Sequence, residues 1–468
     1  MEASAGAIDL KSKLAHLVLL LSILLFLWLR MRNLNHLFVY DEAHFVLMTK
    51  SFVKGIPDQW HQFIRFHPPL YLLTCAFIFK YLNLVPVSFE LVSILFSLGT
   101  LIVIYLLASS LFGKTTGALS AFFFSILPAS TVFNTWIKQD SMAIFFLSLS
   151  VYLFMKEKYH LSGIALGLGL LSKEIAIFAL MTIALFSLAC LSRDKIEGTI
   201  IAGAIGGLLS FWWYTWLSVS KGHFLGFFRG TNLEGKTWSQ PWSYYFKGLP
   251  TDLGWPLLCL VAIGCVTCIY YRVKGSEAFL LPLTWFLGIY IFLSVSVGKP
   301  YWMMDAATPA LAILAAIGLA EISSIARSLL PSHKRGTFLK LAVIAVALLT
   351  GTIAAFRVDH ASYNRARLDN YWTGSEYSKR DADFFNEHAE EGDTILMVFN
   401  ELDRWDAVLL YYLKNVYFVS VYPIALDAPS EIADGIEKSG IRWIYIKHNV
   451  NYMDRIKYFV EVIRTLLN

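Results

Sequence analysis

Long apolar runs with almost no charge recur along most of this chain, and they constrain its fold more than any other feature. A bilayer core is about 30 Å thick, so a crossing helix needs roughly 17 to 25 apolar residues. Runs near that length lie at 14–30, 88–111, 115–135, 141–156, 159–172, 175–191, 198–219, 252–271, 277–297, 302–325 and 338–356, those at 141–156 and 159–172 being short. In hydrocarbon, only helices and closed barrels satisfy every backbone polar group. The expectation is an all-α polytopic membrane bundle of about 11 transmembrane helices over residues 1–356. Composition agrees: 57% of the 468 residues are hydrophobic and 16% charged, against roughly 25% charged in soluble domains.

The first run follows Lys11 and Lys13, as a signal peptide would, but Arg30, Met31 and Arg32 come after it and no small-residue cleavage site does. A retained first helix is expected. Residues 68–82 are apolar too, yet the run is short and opens on Pro68 and Pro69. That length suits an interfacial or re-entrant segment. The positive-inside rule favours the same choice. With 68–82 not crossing, Lys11, Lys13, Lys114, Lys156, Lys158, Arg193, Lys195, Arg272, Lys274, Arg327, Lys334 and Arg335 share one side, the cytoplasm. The opposite face then collects Asp41 and Glu42 in an outer loop 31–87, His67, Lys138 and Asp140, Lys173 and Glu174, the outer loop 220–250, Lys299 and Tyr301. One active site at the outer face is the expectation, in the plasma membrane of a prokaryote.

Past residue 356 the character changes. Residues 357–468 carry a net charge of −5, and the remainder +10. Thr394–Phe399, Val416–Val421 and Arg442–Lys447 have strand patterns, while Arg404–Lys414, Ser430–Ser439 and Met453–Leu467 have helical ones. A small α/β domain with a parallel sheet is expected there, outside the membrane. The five cysteines all lie in apolar stretches. Cys265 and Cys268 have Cys-x-x-Cys spacing but sit in a hydrocarbon run, so packing explains them better than zinc.

Tyr40-Asp41-Glu42-Ala43-His44-Phe45 follows the first run directly. Paired carboxylates at a membrane boundary are costly unless used, and a partly desolvated carboxylate can act as a general base. A solvated acidic loop is the plain alternative. His67-Pro68-Pro69-Leu70 is a stiff turn whose histidine could meet a phosphate or a metal, or simply open a helix. Trp136-Ile137-Lys138-Gln139-Asp140, Leu171-Ser172-Lys173-Glu174 and Lys299-Pro300-Tyr301 each put a cation at a run's end. Snorkelling explains such lysines equally, though outer-face cations run against the charge bias, and several together suit a phosphate. The loop 220–250, with Lys221, His223, Arg229, Glu234 and Lys236, covers a site or forms an interfacial belt. Walker A, dinucleotide and Gly-x-Ser-x-Gly fingerprints are absent, and no basic surface for nucleic acid is visible.

In order along residues 14–325, these motifs resemble the protein O-mannosyltransferases. Asp41-Glu42 followed by His67-Pro68-Pro69-Leu70 is similar to their first outer loop, and the related lipid A aminoarabinose transferases carry Lys-Pro-Pro-Leu at the second element. Lys138-Gln139-Asp140, Gly167 through Lys173, and Gly298-Lys299-Pro300-Tyr301 are similar to further segments of the same superfamily. The resemblance implies a GT-C fold and transfer of a sugar, by default a mannose-like hexose, from a polyprenyl- or dolichyl-phosphate donor to a hydroxyl. It implies Asp41 as base and Glu42 as a supporting acid. Lys138, Lys173, Lys299, Tyr301 and Arg229 are implied on the donor phosphate, with His67 there or at a metal; His44, Asp140 and Glu174 are further candidates. The expected mechanism is an inverting single displacement with a lipid phosphate leaving. No clean ligand set defines a divalent metal, whose use stays open. The β-trefoil of the eukaryotic mannosyltransferases is not found, and Trp212-Trp213-Tyr214 lacks the acid of the oligosaccharyltransferase Trp-Trp-Asp. The acceptor is therefore open among protein, glycan and lipid. The other class to weigh is a transporter or flippase of lipid-linked sugars, whose charges would lie mid-membrane among internal repeats.

Overall fold

The computed structural model describes residues 2–34, 36–38, 40–54, 68–82, 87–220, 240–328 apart from Val297, and 333–356. Toward the C-terminus it describes Val358, 377–398, Leu409, 413–414, 417–421 and 443–446. The chain divides into two compact units, one of residues 1–36 and 48–368, the other of 37–47 and 369–468.

The larger unit is helical, as the run lengths require. Its first part holds α1 (Glu2–Met31), α2 (Tyr40–Val53, which begins in the other unit), α3 (Pro69–Leu82), α4 (Val87–Phe112), α5 (Lys114–Ile126) and α6 (Pro128–Phe133). Then come α7 (Asp140–Met155), α8 (Tyr159–Ser172), α9 (Ile177–Cys190), α10 (Arg193–Ser220) and α11 (Tyr244–Leu253). The unit closes with α12 (Trp255–Val273), α13 (Leu280–Val295), α14 (Thr308–Ser328) and α15 (His333–Phe356). Among the described residues, 6 helices are long and apolar enough to cross a membrane: Ser12–Met31, Phe89–Phe112, Arg193–Val219, Trp255–Val273, Glu277–Val295 and Tyr301–Ser328. Helices α7, α8 and α9 are apolar but only 16, 14 and 14 residues long. Helix α3, at 14 residues, is about 21 Å long, short of the bilayer core.

One expected span departs from a single helix. The run 115–135 breaks between α5 and α6 because Pro128 forces the residue before it out of the helical region. Leu127 accordingly has φ −55° and ψ 123°, and Pro128 opens α6 where a missing N–H costs nothing.

Close packing holds the bundle together. Ser150 on α7 and Ser162 on α8 donate to each other's carbonyl oxygens at 2.9 and 2.8 Å. Helices α12 and α14 touch backbone to backbone, and Gly264 and Gly318 permit it. A Cβ at Gly264 would overlap the Leu314 carbonyl, and one at Gly318 the Leu260 carbonyl. Small residues at such crossings let dispersion do the work that hydrophobicity cannot do in lipid.

Three stretches of the unit are not α-helical and yet are largely buried. Residues 134–139 link α6 to α7. Lys173 and the 3₁₀ turn Glu174–Ala176 link α8 to α9. Ser296 and residues 298–307, including the 3₁₀ helix Tyr301–Ala307, lie between α13 and α14. Irregular backbone at such depth survives only inside protein or beside a cavity.

In the smaller unit, β1 (Thr394–Val398) lies between β2 (Tyr417–Val421) and β3 (Trp443–Ile446), all parallel. Thr394 pairs with Tyr417 and Ile395 with Trp443. The three strands fall within the runs that the alternation pattern marks. A helix over 377–388 precedes them and buries Ala382 and Phe385, as the sheet buries Ile395. Gly392 makes the turn between helix and sheet at φ 93°, a conformation glycine tolerates best. The helical patterns at 404–414, 430–439 and 453–467 lie outside the described residues, apart from Leu409, Leu413 and Lys414.

Gly318→Ala is expected to separate α12 from α14 and to destabilise by about 1–3 kcal/mol, the usual overpacking cost. The thermal unfolding midpoint in detergent reads it. Gly207→Ala, on α10 with nothing near its Cβ position, should hold or raise that midpoint.

Candidate functional site

The three buried non-α-helical stretches carry Lys138, Lys173, Glu174, Lys299 and Tyr301, and they pack around the start of α7, where Asp140 lies. Asp140 is in the first turn of α7, where a carboxylate gains from the helix dipole. Lys173 ends α8 in extended backbone, φ −161° and ψ 149°. Its ammonium reaches both Asp140 oxygens, at 2.8 and 2.7 Å. The pair is buried, with side chains 8% and 5% exposed. The two Lys/acid motifs are thus joined to each other across 33 residues, and much of the Lys173 charge is met by Asp140. Glu174, next along, is half-buried.

Lys138 is held differently. Its Nζ lies 4.5 Å from the Trp136 ring centroid and 4.5 Å from that of Trp302. Its N–H donates to the Trp136 carbonyl at 2.8 Å, which folds it back over that indole. Tyr301 is buried at 1% exposure against Phe133, Trp136 and Trp302, with ring centroids 5.7, 6.2 and 5.1 Å away. The segment that presents it is pinned from two helices. Tyr245 of α11 donates to the Pro300 carbonyl at 2.9 Å, and the Trp285 indole N–H of α13 to the Ala306 carbonyl at 3.0 Å.

Lys299 donates to the Ser296 carbonyl. It lines a groove of about 630 Å³ whose walls include Trp242, Phe246, Ile291 and Val295. Burial pushes its ammonium below the ordinary lysine range, because removing water disfavours the charged form.

Two buried charges at this level escaped the motif reading. Asp305 is 1% exposed, on the 3₁₀ helix that Tyr301 opens. Thr308 Oγ1 lies 2.7 Å from its carbonyl oxygen and 3.1 Å from its Oδ1. Arg30, fully buried at the end of α1, donates to the Ser125 carbonyl and, at 3.0 Å, to Ser130 Oγ. Asp305 lies within electrostatic reach of both Arg30 and Asp140. A carboxylate inside an otherwise apolar run was the available signal for Asp305; Arg30 reads as an ordinary flanking cation. A third pair joins His36 Nδ1 to the fully buried Glu90 of α4, at 3.2 Å, and nothing in the spacing predicts it.

In the smaller unit, Asp41 and Glu42 occupy the first turn of α2. Glu42 is fully buried and Asp41 half-buried. His44 is one turn on from Asp41, on the same helix face. Burial lowers the imidazole's proton affinity, and the Asp41 charge partly offsets that. His67 and Arg229 lie outside the described residues. Among the described residues, no group of three or more His, Cys, Asp and Glu could hold a metal ion. The five cysteines are free thiols.

This architecture is the GT-C fold of polytopic membrane glycosyltransferases. It is similar to ArnT from Cupriavidus metallidurans, solved bound to undecaprenyl phosphate, with a TM-score of 0.60 at 16% identity over 94% of this chain and 90% of that one. It is also similar to the Archaeoglobus fulgidus oligosaccharyltransferase AglB, solved with an inhibitory peptide and a dolichol-phosphate. There the TM-score is 0.57 at 12% identity, over 87% of this chain and 64% of that one. In sequence, residues 66–216 match the family described as dolichyl-phosphate-mannose-protein mannosyltransferase. The match begins at the His67-Pro68-Pro69-Leu70 element and runs into α10, so Asp41 lies upstream of it. An uncharacterised protein of Aquifex aeolicus is 25% identical over 283 residues, 59% of this chain; the match spans 64% of that protein's length.

Removing one member of the Lys173–Asp140 pair strands a buried charge, at a cost of about 3–5 kcal/mol. Lys173→Met alone is expected to lower the unfolding midpoint sharply. Lys173→Met with Asp140→Leu should recover much of the loss, and a double-mutant cycle on purified protein measures the coupling.

Proposed function

We propose that the chain is an integral membrane glycosyltransferase that moves a sugar, a mannose-like hexose by default, from a polyprenyl- or dolichyl-phosphate donor to a hydroxyl acceptor at the outer membrane face. The observation that carries this reading is the groove that Lys299 lines. Its apolar walls suit an isoprenoid chain, and its buried ammonium suits the phosphate at the chain's end. Tyr301 follows Lys299 by two residues on the same stretch, and Trp302 of that stretch meets Lys138. Lipid phosphates bound to ArnT and to AglB, which share the fold, support the same choice.

In this reading Asp41 takes the proton of the acceptor hydroxyl as its oxygen attacks the anomeric carbon. The bond from that carbon to the phosphate oxygen breaks, and configuration inverts. The electron pair leaves on the lipid phosphate, where preorganised cations stabilise it. Lys299 is a better phosphate contact than Lys173, which Asp140 already meets; Lys138 and Tyr301 are further proposed contacts. Glu42, buried in the same helical turn as Asp41, acts as a supporting acid. His67 and Arg229 remain proposed donor contacts on sequence grounds. The acceptor is a protein, a glycan or an envelope lipid.

Asp41→Asn is expected to cut sugar transfer from a polyprenyl-phosphate donor by about 10²- to 10⁴-fold, the usual worth of a general base, while donor binding persists. Transfer by the variant at the wild-type rate would remove Asp41 from this role. A transporter instead predicts movement of the lipid-linked sugar between leaflets without any acceptor product.

Lys299 should also shape the pH profile. Its depressed proton affinity places an alkaline fall in kcat/KM below the ordinary lysine value of about 10.4. Lys299→Arg keeps its charge at any such pH and should move that limb upward, whatever it does to the maximum.

A further inference from the structure

We infer that Ser294 binds the donor: beside the Lys299 ammonium, its hydroxyl donates to the phosphate of a polyprenyl phosphate lying in the groove. The inference rests on the donor reading above and deepens it, since no sequence motif singles out Ser294.

Ser294 lies in the last turn of α13. Ile291, Ser294 and Val295 are spaced by three and four residues, so they share one helix face, and all three line the groove. Phe246 of α11 lines it from a second helix, its ring 5.5 Å from that of Tyr290 on α13. Ile291 and Val295 are exposed, whereas Ser294 is only 7% exposed. Among the described residues its buried hydroxyl meets no hydrogen-bond partner.

A serine on a helix ordinarily returns its hydroxyl to a carbonyl three or four residues earlier. Ser120 does so to Thr116 at 2.8 Å, and Ser210 to Gly206 at 2.9 Å. Ser296, two residues on, donates to the Leu293 and Gly298 carbonyls at 2.7 and 2.9 Å. Ser294 makes no such bond. Other buried serines lack a partner too, and among the described residues Ser294 is the one that lines the groove. An unbonded buried hydroxyl costs free energy, so this one is set for a partner from outside the fold.

The chemistry of that partner follows from Lys299. It lines the same groove and is buried, and its ammonium donates to the Ser296 carbonyl. An ammonium has three donors, and among the described residues no carboxylate pairs with this one. A phosphate offers several acceptor oxygens, so one can take the ammonium and another the hydroxyl. Apolar walls with a few placed polar groups are how such pockets orient a ligand.

Ser294→Ala removes the hydroxyl and little else. The readouts are the Kd of the purified full chain for undecaprenyl phosphate and the unfolding midpoint without ligand. The expected result is a Kd about tenfold weaker. The midpoint should hold or rise, because the variant no longer buries an unbonded hydroxyl. Ser294→Thr, which keeps the hydroxyl, should bind more tightly than Ser294→Ala. Millimolar inorganic phosphate should leave the lipid in place; displacement would assign the pair to a free phosphate instead. Wild-type affinity in Ser294→Ala, or a midpoint that falls with the affinity, overturns the role of Ser294 and leaves the donor reading standing. If the wild-type chain binds no undecaprenyl phosphate, both fall together.

Discussion

Unwound backbone inside a helical bundle is the constraint on which the rest of this structure depends. A bundle in lipid satisfies its peptide groups by staying helical, and each departure needs protein around it. The larger unit departs at 134–139, at 173–176 and between α13 and α14, at Ser296 and 298–307. Those departures fall on the candidate motifs, because helical backbone would turn their side chains outward at fixed angles. The extended Lys173 reaches Asp140, the 134–139 link folds Lys138 over Trp136, and the link to α14 brings Trp302 to the same ammonium. Arg30 supports the break between α5 and α6, since its bonds go to Ser125 and Ser130, on either side of Leu127 and Pro128.

Run length and charge made the fold class legible, and the pairing of charges was not. The lengths of the apolar runs reflect one dominant physical term, so the bundle could be read from them. Pro128 was visible too, but a window scored for apolarity passes over a single helix break. The Lys173–Asp140 bond lies beyond any spacing rule, since its partners are 33 residues apart and meet only because α7 and α8 pack as a hairpin. Lys138 and Lys173 each have an acid nearby in sequence, and the Lys173 bond goes to the acid of the other motif. Asp305 vanished into the run that contains it, although a lone carboxylate there is the kind of signal that membrane energetics makes informative. In the smaller unit, short apolar runs rich in β-branched and aromatic residues marked the three described strands.

The division of labour among the lysines is set by what each one touches. A carboxylate, a backbone carbonyl and two indoles hold Lys173, Lys299 and Lys138 respectively. Only the first of these partners brings a full counter-charge. The first contact therefore serves architecture: it ties α7 to α8 at their irregular ends and leaves little field for an incoming anion. Lys299 keeps its charge while losing much of its hydration. Burial already lowers the proton affinity of Lys299, so a phosphate arriving there restores an interaction that water no longer supplies. A lysine poised this way favours an anion that carries its own apolar chain into the groove, since a free phosphate would lose hydration without that compensation. On the proposed reading, the burial that makes the Lys299 charge costly is what selects a lipid phosphate over a free one.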